Sequence, residues 1–107
     1  MLRIYDVMLE VLREVRPLME QIGRHDRSLE DQMRRAAASV ALNIAEGSGS
    51  RGKSRGLRYS TALGSARETR ACLQVAHALG YVTCVDGPVF DRLDHVVATL
   101  VKVIRVG

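Results

Sequence analysis

The sequence predicts an all-α protein, an antiparallel, up-down-up-down bundle of four helices that forms a single domain over residues 1–107. Along four separate stretches, apolar residues recur at spacings of three and four, which is the period of one face of a helix. The chain has only 2 prolines and long stretches without a turn signal, whereas a β-sandwich needs frequent turns. Its length is that of one domain, and short connections between helices favour antiparallel neighbours.

The predicted first helix covers residues 4–22 and has one continuous apolar face. The residues of that face are Ile4, Val7, Met8, Val11, Leu12, Val15, Leu18, Met19 and Ile22. Pro17 falls inside the pattern and removes one backbone hydrogen bond, so we expect a kink there. Gly23 is expected to end the helix.

The predicted second helix covers residues 28–46. Ser28 and Asp31 resemble a capping box at its start, with aspartate in place of the usual glutamate. The apolar stripe of this helix is rich in alanine, and small side chains let a neighbouring helix approach closely. We therefore expect this helix to lie deep in the bundle.

A glycine- and serine-rich basic segment, residues 47–54, is predicted to be a connection between helices. The third helix is predicted over residues 54–79, with Gly80 as its C-terminal stop. The last helix is predicted over residues 87–106, where Asp86 and Pro88 give an N-terminal signal. This last segment is rich in valine and could form a strand by propensity, but its apolar spacing is helical.

Several classes of protein are excluded by composition. No apolar run approaches the roughly 18 residues of a transmembrane helix, and the charged N-terminus does not fit a secretory signal. Cys72 and Cys84 have no partner cluster and are predicted to be reduced thiols, so we expect a cytoplasmic location.

Positive charge is concentrated in the middle of the chain. The formal net charge is +4, but residues 34–70 contain eight basic and only two acidic residues. This segment is either a solvated basic region that keeps the protein soluble or a surface for a polyanion or an acidic partner.

Two sets of residues could in principle carry chemistry. Residues 47–54 match the nucleotide-binding string G-x-x-x-x-G-K-S formally, but they follow a predicted helix, whereas a phosphate-binding loop follows a buried strand. A flexible basic loop that contacts phosphates loosely is the alternative. The three histidines, His25, His77 and His95, are isolated and match no metal-ligand spacing. We therefore predict neither metal nor cofactor, and no enzymatic activity.

Polar residues interrupt the inner faces of the second and third helices. They are Ser39, Asn43, Glu46, Ser65 and Glu68. We expect them to be partly buried in a hydrogen-bond network between the two helices, because an unpaired buried polar group costs about 1–3 kcal/mol. The alternative is a carboxylate pair for acid–base chemistry, but no nucleophile or metal motif accompanies it.

Residues 34–47, Arg-Arg-Ala-Ala-Ala-Ser-Val-Ala-Leu-Asn-Ile-Ala-Glu-Gly, resemble the hallmark of the bacterial four-helix-bundle proteins first noted in intervening sequences of 23S ribosomal RNA genes. The segment Gly-Ser-Ala-Arg-Glu at residues 64–68 resembles the third-helix pattern of that family. The resemblance implies a small homo-oligomer, typically a pentameric ring, without enzymatic activity. A similar protein is the accessory subunit of diversity-generating retroelement reverse transcriptases, a basic pentamer that binds nucleic acid and the polymerase.

We therefore expect a non-enzymatic homo-oligomer that binds RNA or DNA. The apolar positions of the last helix exceed one narrow stripe, which also favours oligomerisation. With few aromatic residues, binding is expected to depend on phosphates and to be weakly sequence-selective. The expected contact residues are Arg34, Arg35, Arg51, Lys53, Arg55 and Arg58. The alternative is an adaptor that binds an acidic protein or a polymerase such as a reverse transcriptase.

Overall fold

The computed structural model describes residues 3–83, 85 and 87–106. These residues form four helices, α1 (Ile4–His25), α2 (Arg27–Ser48), α3 (Gly52–Ala78) and α4 (Gly87–Val106), and no strand is present among them. The prediction of an all-α bundle is confirmed, and the last segment is helical despite its valines. Each helix packs on its neighbours in chain order and α1 packs on α4, so the α1–α4 side lies opposite the α2–α3 side.

The connection between α1 and α2 is a single residue, Asp26. Its backbone is extended, its amide donates to the Ile22 carbonyl at 2.8 Å, and its carboxylate accepts from the Leu29 amide at 2.9 Å. Asp26 is thus the N-cap of α2, and the predicted capping box at Ser28 is wrong. The predicted end of α1 at Gly23 is also wrong, because α1 continues through Gly23 to His25.

The segment predicted as a basic loop is mostly helical. Gly47 and Ser48 belong to the last turn of α2, and α3 already begins at Gly52, so only residues 49–51 connect the two helices. Gly52 has a φ of +58°, a left-handed conformation that favours glycine and lets α3 start at once. The segment follows a helix and not a strand, as the sequence predicts, so it lacks the structural context of a nucleotide-binding loop.

The C-terminal end of α3 is closed as the sequence predicts. Gly80 has a φ of +77°, its amide donates to the His77 carbonyl at 3.0 Å, and the Tyr81 amide donates to the Ala76 carbonyl at 2.9 Å. These two bonds satisfy carbonyls of the last turn in a Schellman motif. The predicted cap at Asp86 lies outside the described residues.

The core is built from aliphatic side chains, methionine and alanine, with contributions from all four helices. Its largest fully buried side chains include Ile4, Met8, Ile22, Met33, Ile44, Leu73, Leu93 and Leu100. No helix in the described part of the chain combines the length and the apolarity that a membrane crossing requires. Among the same residues, no group of three histidine, cysteine or carboxylate side chains is placed to hold a metal ion.

Cys72 is a buried free thiol, and burial raises its pKa, with a smaller contribution from the nearby Glu68 carboxylate. A thiol in this environment stays protonated at neutral pH and reacts slowly. Cys84 lies outside the residues that the structure describes.

Candidate functional site

The six predicted contact residues fall into two groups along the α2–α3 hairpin. Arg51, Lys53, Arg55 and Arg58 lie in the turn and in the first two turns of α3. Arg34 and Arg35 lie in the first half of α2, which places them about 20 Å along the helix axis from the turn at 1.5 Å per residue. The structure therefore does not bring all six side chains to one end of the bundle.

Half of these residues are paired with carboxylates. Arg34 contacts Glu30 at 3.0 Å and Arg35 contacts Asp31 at 3.7 Å, each one turn earlier on α2. Exposed pairs of this kind stabilise a helix by well under 1 kcal/mol, but they offset the local positive charge.

The third pair joins the two helices, because Arg58 on α3 contacts Glu46 on α2 at 3.5 Å. Farther from the turn, the Gln32 amide donates to the Glu68 carboxylate at 3.3 Å. The two contacts show that α2 and α3 run antiparallel. They also correct a prediction, since Glu46 and Glu68 are exposed and do not belong to a buried network. A long carboxylate side chain at the edge of a helix interface can reach water, and burying its charge would be costly.

The other three predicted network residues are half-buried and hydrogen-bonded. The Ser65 hydroxyl donates to the Ser39 hydroxyl at 2.8 Å and links α3 to α2. The Asn43 amide donates to the Ser39 hydroxyl at 3.0 Å and to the Ser39 carbonyl at 2.9 Å. These bonds fix the register of the two helices and leave no reactive group in the interface.

Arg51, Lys53 and Arg55 form the only part of the predicted site with uncompensated charge, and we call these three residues the turn cluster. Within the described ranges, none of them makes an ion pair. All three are exposed. The Arg55 Nε donates to the Ser50 carbonyl at 3.0 Å, which holds the guanidinium group beside the turn and leaves its terminal NH₂ groups to donate elsewhere.

The start of α3 adds to the positive potential of the turn cluster. Its first turn contains no acidic residue, and its N-cap, Arg51, makes no side-chain capping bond. Unpaired amide groups and the helix dipole both favour a negative charge at such a terminus.

The opposite side of the bundle has a different charge. A groove between α1 and α4 is lined by the carboxylates of Asp6, Glu10 and Asp91. The arginine beside them, Arg92, is already paired with Glu14 at 2.6 Å. Among the predicted contact residues, positive charge without a carboxylate partner is thus confined to the turn between α2 and α3.

Sequence reasoning missed the packing of Tyr59 against Gly47. Tyr59 is only 4% exposed, and a β-carbon added to Gly47 would collide with its ring. Gly47 therefore acts as a contact surface and not as a flexible loop residue. The sequence contained one indication of this contact. Tyr59 belongs to the apolar stripe of the third helix, and Gly47 comes directly after the predicted end of the second helix.

Comparison with known proteins identifies the family. The model of the family described as 23S rRNA-intervening sequence protein matches residues 1–104. The chain belongs to this family. The fold is similar to that of a crystal structure from Bacteroides thetaiotaomicron VPI-5482, described as a protein with unknown function from the S23 ribosomal protein family. The two structures superpose with a TM-score of 0.78 at 19% identity, over 94% of this chain and 97% of that one. Comparison with curated proteins gives no match.

The segment that carries the resemblance to intervening sequence proteins serves packing. Its alanines Ala36, Ala37 and Ala41 are buried in the interior of the bundle. Its polar residues Ser39 and Asn43 form the hydrogen-bonded link described above. This segment of α2 therefore contributes to the core and to the link with α3, and the turn cluster follows it in the chain.

Proposed function

We propose that this intervening sequence protein is a non-enzymatic, homo-oligomeric, cytoplasmic bundle that binds RNA or DNA through phosphate groups at the turn cluster. The observation that carries the proposal is the concentration of Arg51, Lys53 and Arg55 at one end of the bundle without a carboxylate partner among the described residues. A guanidinium group donates two parallel hydrogen bonds to a phosphate, which favours phosphate as the ligand of Arg51 and Arg55.

Binding of this kind has a defined chemical character. The contacts would be made by exposed side chains to the backbone of the nucleic acid, so affinity depends strongly on salt and weakly on sequence. The paired arginines are secondary contacts in this proposal, because each would have to leave its carboxylate partner before it could bind a phosphate. They are Arg34, Arg35 and Arg58.

Oligomerisation is proposed on a different surface from the one that the sequence suggested. On α4, Val97, Val103 and Ile104 pack against the core of their own chain, and Val106 in the last turn is 81% exposed. The hairpin also leaves large apolar side chains in water, among them Leu42 at 65% and Leu57 at 68% exposed. Burial of both leucines against other copies would assemble several turn clusters in one particle, and a pentameric ring is the form that the family resemblance suggests.

The test is a binding titration with matched charge variants. A fluorescently labelled duplex DNA and a labelled single-stranded RNA are titrated at about 50 mM salt, where phosphate contacts are strong. The triple variant Arg51→Gln, Lys53→Gln, Arg55→Gln should weaken binding to both probes by a similar factor. The control is Arg16→Gln, Arg24→Gln, Arg27→Gln, which removes the same number of exposed basic residues that make no ion pair within the described part of the chain, here from α1 and the start of α2, and should change affinity much less.

Failure to bind either probe at about 50 mM salt would contradict the proposal. The second function, an adaptor for an acidic protein or a reverse transcriptase, would then be favoured. That function rests on the same turn cluster and on the exposed Leu42 and Leu57. It predicts that the triple variant loses the protein partner and that nucleic acid does not compete for it.

A further inference from the structure

A small cavity opens beside the turn cluster, where the start of α3 meets the end of α4. Its lining is formed by Gly52, Arg55, Gly56, Tyr59, Val103 and Ile104. The volume is about 130 Å³, and Arg55 is the one charged residue of the lining. An apolar cavity of about 150 Å³ in another protein binds benzene, so a space of this size accepts one six-membered ring.

Two glycines keep the cavity open. Gly52 and Gly56 are four residues apart on α3 and so lie on the same face of the helix. A β-carbon added to either would meet no atom within 4 Å, which means that no side chain from elsewhere in the described structure fills the space. Gly56 also lies inside a helix, where glycine destabilises the helix relative to alanine. Packing does not require a glycine at this position.

The other walls are fixed by the core. Tyr59 is 4% exposed and is held against Gly47, so its ring has little freedom to move into the cavity. Val103 and Ile104 are half-buried and pack against the core. The cavity is therefore preformed, and a ligand would not have to displace protein side chains to enter it.

The position of the cavity indicates what it could bind. An apolar space for one ring lies next to the uncompensated cations of the turn cluster, and Arg55 belongs to both. A nucleotide carries a planar ring and a phosphate within reach of each other. In a duplex the bases are stacked inside and cannot leave without loss of pairing, whereas an unpaired base is free to be splayed out and inserted.

We propose that this cavity receives one unpaired base of a single-stranded nucleic acid whose phosphates contact the turn cluster. The inference rests on the proposed function and deepens it, because it names single strands as the substrate class. The protein should therefore bind single strands more tightly than duplexes of equal charge.

The experiment compares labelled oligonucleotides of equal length and charge in a fluorescence anisotropy titration. The probes are oligo(dT), oligo(dA) and an abasic oligonucleotide that has the sugar–phosphate backbone without bases. The wild-type protein should bind oligo(dT) about tenfold more tightly than the abasic probe, which is the range expected for insertion of one base. Oligo(dA) should also bind more tightly than the abasic probe, because adenine and thymine have similar volumes.

Gly56→Leu is the variant that fills the cavity. It should bring the affinity for oligo(dT) down to that for the abasic probe and leave the abasic affinity unchanged. Gly64→Leu is the matched control, because Gly64 is also an α3 glycine whose β-carbon would meet no atom within 4 Å, but it does not line the cavity. If Gly56→Leu lowers the melting temperature, Gly56→Ala is measured in its place. Alanine favours the helix and fills a smaller part of the cavity, so the loss of affinity for oligo(dT) should be smaller.

Three results would overturn the inference. Equal affinity of the wild-type protein for oligo(dT) and the abasic probe would exclude base insertion while the proposed function stands. Binding of none of the probes would reject the proposed function as well. A change in the mass of the oligomer in Gly56→Leu but not in Gly64→Leu, measured by light scattering, would assign the cavity to a contact between copies of the chain.

Discussion

Replacing Gly47 by alanine would place a methyl group against the buried ring of Tyr59. The added β-carbon would lie too close to the Cε1 and Cδ1 atoms of that ring, and the ring is 4% exposed and cannot swing into solvent without losing its packing. Overpacking of a core contact costs about 1–3 kcal/mol. The gain in helix propensity from glycine to alanine is at most about 1 kcal/mol. The net expectation is a loss of about 0–2 kcal/mol in the free energy of unfolding.

The assay is urea denaturation followed by circular dichroism at one fixed protein concentration, so that any effect of oligomerisation is constant. Gly64→Ala is the matched control, since its β-carbon would meet no atom within 4 Å, and it should stabilise the protein by about 0.5–1 kcal/mol. In a Tyr59→Ala background the penalty of Gly47→Ala should disappear, because the colliding ring is gone. A stabilising effect of Gly47→Ala in the wild-type background would refute the proposed collision with Tyr59.

Three further predictions concern the α2–α3 interface, the buried thiol and the exposed leucines. Ser39→Ala should cost about 1 kcal/mol, because the Ser65 hydroxyl would lose its acceptor and the Asn43 amide would keep only the Ser39 carbonyl. The exposed Glu46→Ala should change stability by less than about 1 kcal/mol, and equal losses of stability in thermal melts would contradict the distinction. Alkylation of Cys72 should be slower in the native protein than in the urea-unfolded protein, because burial raises the pKa of the native thiol. The native thiol should therefore need a higher pH than the unfolded thiol to react at the same rate. Mass spectrometry locates the modified cysteine, and equal rates in the native and unfolded protein would contradict the prediction. The double variant Leu42→Glu, Leu57→Glu should lower the mass measured by light scattering toward the 11.8 kDa of one chain; a wild-type mass of 11.8 kDa would instead reject the oligomer.

The spacing of apolar residues was sufficient to predict the four helices, because that spacing is a local property of each helix. The ends of the helices were less predictable. Asp26 and Ser28 are both good capping residues, and only the structure shows that the Asp26 carboxylate accepts the Leu29 amide. The glycines of residues 47–54 suggested a loop, yet Gly47 is helical and packs against Tyr59, a contact that depends on how α2 and α3 meet.

The candidate site was predictable in composition but not in arrangement. The basic residues could be named from the sequence, whereas the pairing of Arg58 with Glu46 depends on the rotation of two helices about their axes. The same rotation places Ser39 inside the interface and the long side chain of Glu68 at its edge. The cavity could not be predicted, because it forms where residues far apart in sequence, Gly56 and Val103, come together.

The salt dependence of nucleic-acid binding tests the central claim most directly. The affinity for a labelled duplex DNA is measured between about 50 and 200 mM salt, for the wild-type protein and for the variant that changes Arg51, Lys53 and Arg55 to glutamine. The logarithm of the binding constant should fall linearly with the logarithm of the salt concentration. The slope should be shallower in the variant by about 0.9 for each phosphate that the three side chains neutralise in the wild-type complex. A slope that is the same in both proteins would show that the turn cluster does not contact phosphate.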